Sequence, residues 1–247
     1  MTTLPPARNP VPDEILAGNR ASALSRGLPA LHPCPARAEP LAVVGGGQSA
    51  ADHLDEILTW PGEIMAINGA YDWLRSGRVP DYHLIIDPQP FVADLFLQHP
   101  HKLTEYLIAD TVHPSTLDAL EGYRPTLCRF TDDSVPGGCS AMTRAPMLAA
   151  IMGYRRIDLF GADCCWREGR THVYDHPRRK HVCRIECDGR IWWAPLDLLR
   201  QAAFMAEAFP VMIRCGLDIR VRGDDHLTAA MLRTGGVWRD TLETEAA

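Results

Sequence analysis

Short apolar runs alternate with segments of helical spacing from Leu41 onward, and this alternation limits the fold more than any other feature of the chain. The runs "LAVV", "EIMAIN", "DYHLIID", "EYLIAD", "TLCRF" and "RIDLFG" have strand length. Between them lie stretches such as "SAADHLDEILTW" and "HPSTLDALEG", whose apolar residues fall three and four apart. Repeated strand–helix units build a mostly parallel, twisted sheet with helices on both faces. The expected class is therefore α/β, a single Rossmann-like domain over residues 41–236. A Pro-rich segment with one short helix precedes it (1–40), and a tail follows (237–247).

Three local readings refine this. "SAADHLDEILTW" reads as one helix capped near Gln48 or Ser49. "CSAMTRAPMLAAIMG" reads as a helix that Pro146 kinks or delays. Asp188-Gly189 between two β-prone runs predicts a β-hairpin excursion near 181–194.

Charge and composition narrow the partners. With 25 basic and 31 acidic residues, the formal net charge is −6, and no global basic field invites nucleic acid. The local basic run "HPRRKH" (176–181) reads as a solvated loop. The first residues lack a basic n-region and a continuous apolar h-region, and no run approaches the roughly 18 apolar residues of a membrane span. The expectation is a cytoplasmic protein without membrane insertion, its eight cysteines kept as thiols. A homo-oligomer stays open.

Ligands of such sheets sit beyond the carboxyl ends of the strands, where the strand order reverses. The loops that matter are then "GGGQS", "NGA", "DPQP", "TDDSVPGGCS" and "GADCCW". Gly45, Gly46 and Gly47 let backbone approach an anion, and the helix near Ser49 turns N–H groups toward it; the alternative is a plain tight turn. A dinucleotide site demands an acid at the end of the second strand, and Asn68 stands there instead. No "GK[ST]" occurs, so this is no P-loop. A second glycine pair, Gly137 and Gly138, precedes Ser140 at a helix start, where Ser140 either joins an anion cradle or merely caps its helix.

The series "VVGGGQSA", "AINGAYDWLRSGRVPDYHLIIDPQP", "GGCSAMTRAPMLAAIMGYRRIDLFGAD" and "REGRTHVYDH" resembles one domain family. It is the family of the archaeal 6-hydroxymethylpterin diphosphokinase (MptE-like), which also covers bacterial motility accessory factors linked to flagellin glycosylation. The layout is more distantly similar to the Campylobacter-type sialyltransferases, which use CMP-activated sugars. The resemblance implies that Gly45, Gly47 and Ser49 line a nucleotide and that Asn68 meets base or ribose. It places Asp87 at the centre of the cleft, Gly138 and Ser140 on the phosphate or donor group, and His172 on the loop after the sixth strand.

One departure bears on the reaction. The archaeal kinases end the third strand with Asp-Leu-Asp-Gly, two carboxylates suited to Mg²⁺, whereas this chain has Asp87-Pro88-Gln89. Asp132, Asp133 or Asp163 would have to supply further ligands, so Mg²⁺ is expected only with diphosphokinase chemistry. Glycosyl transfer from a CMP-sugar to an acceptor not identified by the sequence is the preferred expectation. Diphosphokinase chemistry is the runner-up, and a non-catalytic nucleotide-binding protein the third reading. For glycosyl transfer, N–H donors would hold the leaving phosphate and His172 or His176 would act as base or acid, with Asp87 catalytic or capping the turn before Pro88.

Three other features have bland alternatives. The order Cys164, Cys165, His172, His176, His181, Cys183, Cys187 lacks a C-x₂-C pair, so buried thiols are expected over zinc. Cys139 at a helix start is a candidate nucleophile, although "GGCSAM" is not the G-x-S-x-G elbow of the hydrolases. "IWW" (191–193) reads as core packing ahead of a stacking platform.

Overall fold

The computed structural model describes residues 11–130, 138, 140–176 and 182–240. Gly137, Cys139, Asp132, Asp133 and His181 lie outside the described residues, as do the remaining positions of 177–180.

The chain opens with α1 (Asp13–Ser25), followed by β1 (Leu41–Val44), α2 (Ser49–Asp52), α3 (Leu54–Leu58) and β2 (Glu63–Ile67). Next come α4 (Ala70–Leu74), β3 (Tyr82–Ile85), α5 (Val92–Phe96), β4 (Glu105–Ala109), α6 (Pro114–Asp118) and β5 (Arg124–Cys128). Then α7 (Ala141–Ile151) leads to β6 (Arg156–Phe160), β7 (Val182–Cys187) and β8 (Arg190–Pro195). Last are α8 (Leu196–Arg214), β9 (Asp218–Val221), α9 (Leu227–Arg233) and β10 (Arg239–Asp240).

Seven strands form one sheet in the order β5-β4-β3-β2-β1-β6-β9, every neighbouring pair parallel. All four residues of β1 are fully buried, as a central strand covered on both faces requires. Its side chains alternate. Leu41 and Val43 join the core under α7 and α8, while Ala42 and Val44 join a separate cluster with Ile57, Trp60 and Phe160. The chain steps outward from β1 to β5, then returns to the other side of β1 as β6. The strand order therefore reverses between β1 and β6.

The hairpin forms as expected: β7 pairs antiparallel with β8, and Asp188 and Gly189 both take positive φ (56° and 68°), the geometry of a tight two-residue turn. Residues 239–240, placed by sequence in the tail, add a third strand beside β7. In the Pro-rich segment, the Leu31 N–H donates to Leu127 O (2.8 Å) and the Leu127 N–H to Pro29 O (2.8 Å), which covers the β5 edge.

Two helices differ from expectation. The stretch after β1 is two short helices broken at His53, whose ring packs edge-on against Phe160 at 5.7 Å. Helix α7 does not start late: Ser140 and Thr143 exchange capping bonds, and the helix runs from Ala141 through Pro146.

Candidate functional site

A cleft of about 960 Å³ opens where the strand order reverses. Gly45, Gly46 and Gly47 line it from the end of β1, Asn68 from β2 and Asp87 from β3. Ser140 and, from the loop after β6, His172 and His176 line the same space. The fold thus gathers these sequence candidates, although they span 132 positions (45 to 176). Ser49 is placed elsewhere, on a smaller neighbouring cavity of about 400 Å³ with Asp52 and His53. Gly138 is not a lining residue. A Cβ there would come within 2.7 Å of Thr143 Oγ1 and 3.1 Å of the Phe204 ring, so its lack of a side chain serves packing of α7 against α8.

The glycine turn has a protein partner for most of its donors. The Gly45 N–H donates to Phe160 O (2.8 Å) and the Gly47 N–H to Gly161 O (2.9 Å). Ser49 donates its N–H to Asp163 Oδ2 (2.8 Å) and its hydroxyl to Oδ1 (2.5 Å), with Asp163 only 3% exposed. A Cβ at Gly45 would fall 2.2 Å from Met142 Cε, and one at Gly47 would fall 2.5 Å from Gly161 O. These glycines are needed so that the turns after β1 and β6 can touch. Close approach of a phosphate is not required to explain them.

Gly46 and Gly69 serve a different neighbour. The Val173 N–H donates to Gly46 O (2.8 Å), pinning the loop over the turn. A Cβ on Gly46 would lie 2.5 Å from His172 Cδ2, and one on Gly69 would lie 2.5 Å from the Tyr174 ring. Tyr174 therefore packs against both turns. Beside it, the His172 and His176 rings stack at 4.2 Å and 13°, and His172 Nδ1 sits 2.7 Å from the Thr171 hydroxyl.

Asn68 adopts φ 49°, the left-handed region that asparagine tolerates better than most residues. His83 fixes this corner, since its Nε2–H donates to Asn68 O at 2.9 Å. That bond sets the tautomer, and burial pushes the imidazole down to about 3, so it stays neutral. Asn68 Oδ1 is buried and has no hydrogen-bond partner among the described residues. At Asp87, Oδ1 accepts the Gln89 N–H (3.0 Å), so the carboxylate caps its turn and faces the cleft at once.

Three arginines of the cleft were missed by sequence reasoning. Arg20 from α1 pairs with buried Asp110 at 3.2 Å, and Arg144 from α7 lies 4.5 Å over the Phe130 ring. Arg200 from α8 lines the cleft with a buried Nε that has no partner among the described residues. A signal existed for Arg200: it is the lone cation in the apolar stretch "LDLLRQAAFM".

Residues 18–169 match a family model, that of the 6-hydroxymethylpterin diphosphokinase MptE-like proteins. The chain belongs to this MptE-like family. Its fold is also that of a solved structure, the MAf glycosyltransferase from Magnetospirillum magneticum AMB-1, with a TM-score of 0.61 and 15% identity. The likeness covers 90% of this chain and 41% of that one, so the chain spans about two fifths of its neighbour's length. No curated protein matches the sequence.

A diphosphokinase member of the MptE-like family would be expected to use Mg²⁺, which is held by carboxylates together with phosphates. Both oxygens of Asp163 already accept from Ser49, which leaves Asp87, with Oδ1 on the Gln89 N–H, and Asp197 as the other carboxylates lining the cleft. Among the described residues no group of three His, Cys, Asp or Glu side chains is placed to hold a metal ion. The described residues fit a dedicated divalent site poorly. In the Cys/His-rich stretch, Cys164, Cys165 and Cys187 are buried and Cys183 is half-buried; burial pushes the Cys165 thiol up to about 12, and Cys187 is also raised by burial. Trp192 is 7% exposed and donates its indole N–H to Cys187 O (3.0 Å), a packing role. Among the described residues no helix is long and apolar enough to cross a membrane.

Proposed function

We propose that this MptE-like chain is a nucleotide-dependent transferase that moves a sugar from a CMP-activated donor to an acceptor hydroxyl. The observation that carries the reading is the charge balance of the cleft. Asp163 is engaged by Ser49, while Arg144 and Arg200 line the same space. A departing nucleoside monophosphate carries its charge on one phosphate. Guanidinium groups can offset that charge where carboxylates for a metal are scarce.

In this reading Asn68 Oδ1, which has no partner among the described residues, accepts a hydrogen bond from the ribose or base. The acceptor oxygen attacks the anomeric carbon as the bond from that carbon to the phosphate oxygen breaks, and CMP leaves. The acceptor proton passes to an imidazole, His172 or His176, both on the cleft wall. Asp87 orients the acceptor hydroxyl. The placement of both histidines on the cleft supports catalysis over binding alone.

Pyrophosphoryl transfer from Mg-ATP is the second reading, favoured by the family description. Calorimetric titration of CTP, CMP and ATP, each with and without Mg²⁺, separates the two. Metal-independent CMP binding supports glycosyl transfer. Binding of ATP alone, only with Mg²⁺, and release of AMP in the presence of an alcohol would replace it with the kinase reading.

A further inference from the structure

The glycine turn is the obvious place for a phosphate, yet its geometry argues against it. The N–H groups of Gly45, Gly47 and Ser49 already donate to Phe160 O, Gly161 O and Asp163, and the buried Asp163 carboxylate would repel a second anion beside α2. With four residues, α2 is also too short to offer a strong dipole. The wall built by α7 and α8 differs. Arg200 presents a guanidinium whose Nε is buried without a partner among the described residues, a costly arrangement unless something else accepts from it. Arg144 lines the same cleft from α7, its guanidinium over Phe130, one turn beyond Ser140.

We infer that the phosphate of the ligand is held by Arg200 and Arg144 on the α7–α8 wall, not by the glycine turn after β1. A phosphoryl oxyanion supplies the acceptor that Arg200 Nε lacks among the described residues, and the Arg144 guanidinium on the same wall adds a second positive charge without any metal. Asp197, three residues before Arg200 on α8, also lines the cleft, and it keeps that wall from being a uniformly basic patch. The inference rests on the transferase reading only for the identity of the nucleotide; the anion site stands on Arg200 and Arg144 themselves.

The test uses two probes, CMP and inorganic pyrophosphate, and compares cytidine as a ligand without phosphate. Calorimetry on the wild type and on Arg200→Gln is expected to show CMP and pyrophosphate binding weakened about tenfold to a hundredfold by the substitution. Cytidine binding is expected to be unchanged, and Arg200→Lys to recover part of the loss. If the wild type binds pyrophosphate but no cytidine nucleotide, and Arg200→Gln loses pyrophosphate, the donor assignment fails while the anion site stands. Unchanged CMP and pyrophosphate affinity in Arg200→Gln, no binding of either probe by the wild type, or equal loss of cytidine and CMP would overturn the inference. Should Arg200→Gln fold poorly, Arg144→Gln provides the same comparison.

Discussion

The Asp163 carboxylate accepts both the main-chain N–H and the hydroxyl of Ser49, so the helix start beside the triple glycine already holds an anion that belongs to the protein. The turn after β1 and the turn after β6 are thereby locked together at the point where the strand order reverses.

Asp163→Asn should loosen that lock. One acceptor becomes a donor facing Ser49, in a position only 3% exposed, and stability is expected to fall by about 1–3 kcal/mol. The urea midpoint measures this. A midpoint equal to that of the wild type would show that the contact contributes nothing.

Gly69→Ala probes the docking of Tyr174. Gly69 has φ −64°, which alanine adopts freely, so any penalty comes from the Tyr174 ring 2.5 Å from the new methyl group. The substitution is expected to cost roughly 1–3 kcal/mol as an overpacked contact. In a double-mutant cycle, Tyr174→Ala should relieve about 0.5–3 kcal/mol of it. Additive losses would mean that the loop is not seated on the glycine.

Much of this frame was legible in the sequence. The strands β1, β2, β3, β4 and β6 are short, mostly apolar runs whose burial on both faces leaves no alternation to misread, while the edge strand β5 is buried only at its last two residues; Asp188-Gly189 marks its hairpin by turn chemistry alone. The site was only half legible. Sequence shows that Gly46 lacks a side chain but not that His172 and Tyr174, more than 120 positions later, occupy the space. Likewise Arg144 and Arg200 sit on separate helices, and only the packing of α7 on α8 brings both to one wall. A local pattern predicts a phosphate turn because loops with bare donors hold phosphates. It cannot predict that the donors will find carbonyls and a carboxylate from another strand.

His83 gives the fold a pH dependence of known sign. Its folded value, near 3, lies below the unfolded value of about 6.5, so the unfolded chain takes up the proton first as pH falls. Above pH 6.5 the residue adds no slope. Between there and pH 3 stability drops with each unit, by about 2 kcal/mol at pH 5. Urea midpoints at pH 7 and pH 5 should separate by more in the wild type than in His83→Gln, and equal separations would show that His83 is not the source.

The most direct measurement is a crystal structure of the wild-type protein with CMP bound. The phosphate is expected within hydrogen-bonding distance of the Arg200 and Arg144 guanidiniums, with the Ser49–Asp163 pair intact and the nucleoside reaching Asn68. A phosphate seated on the amides of Gly45 to Gly47, with Asp163 displaced from Ser49, would contradict it.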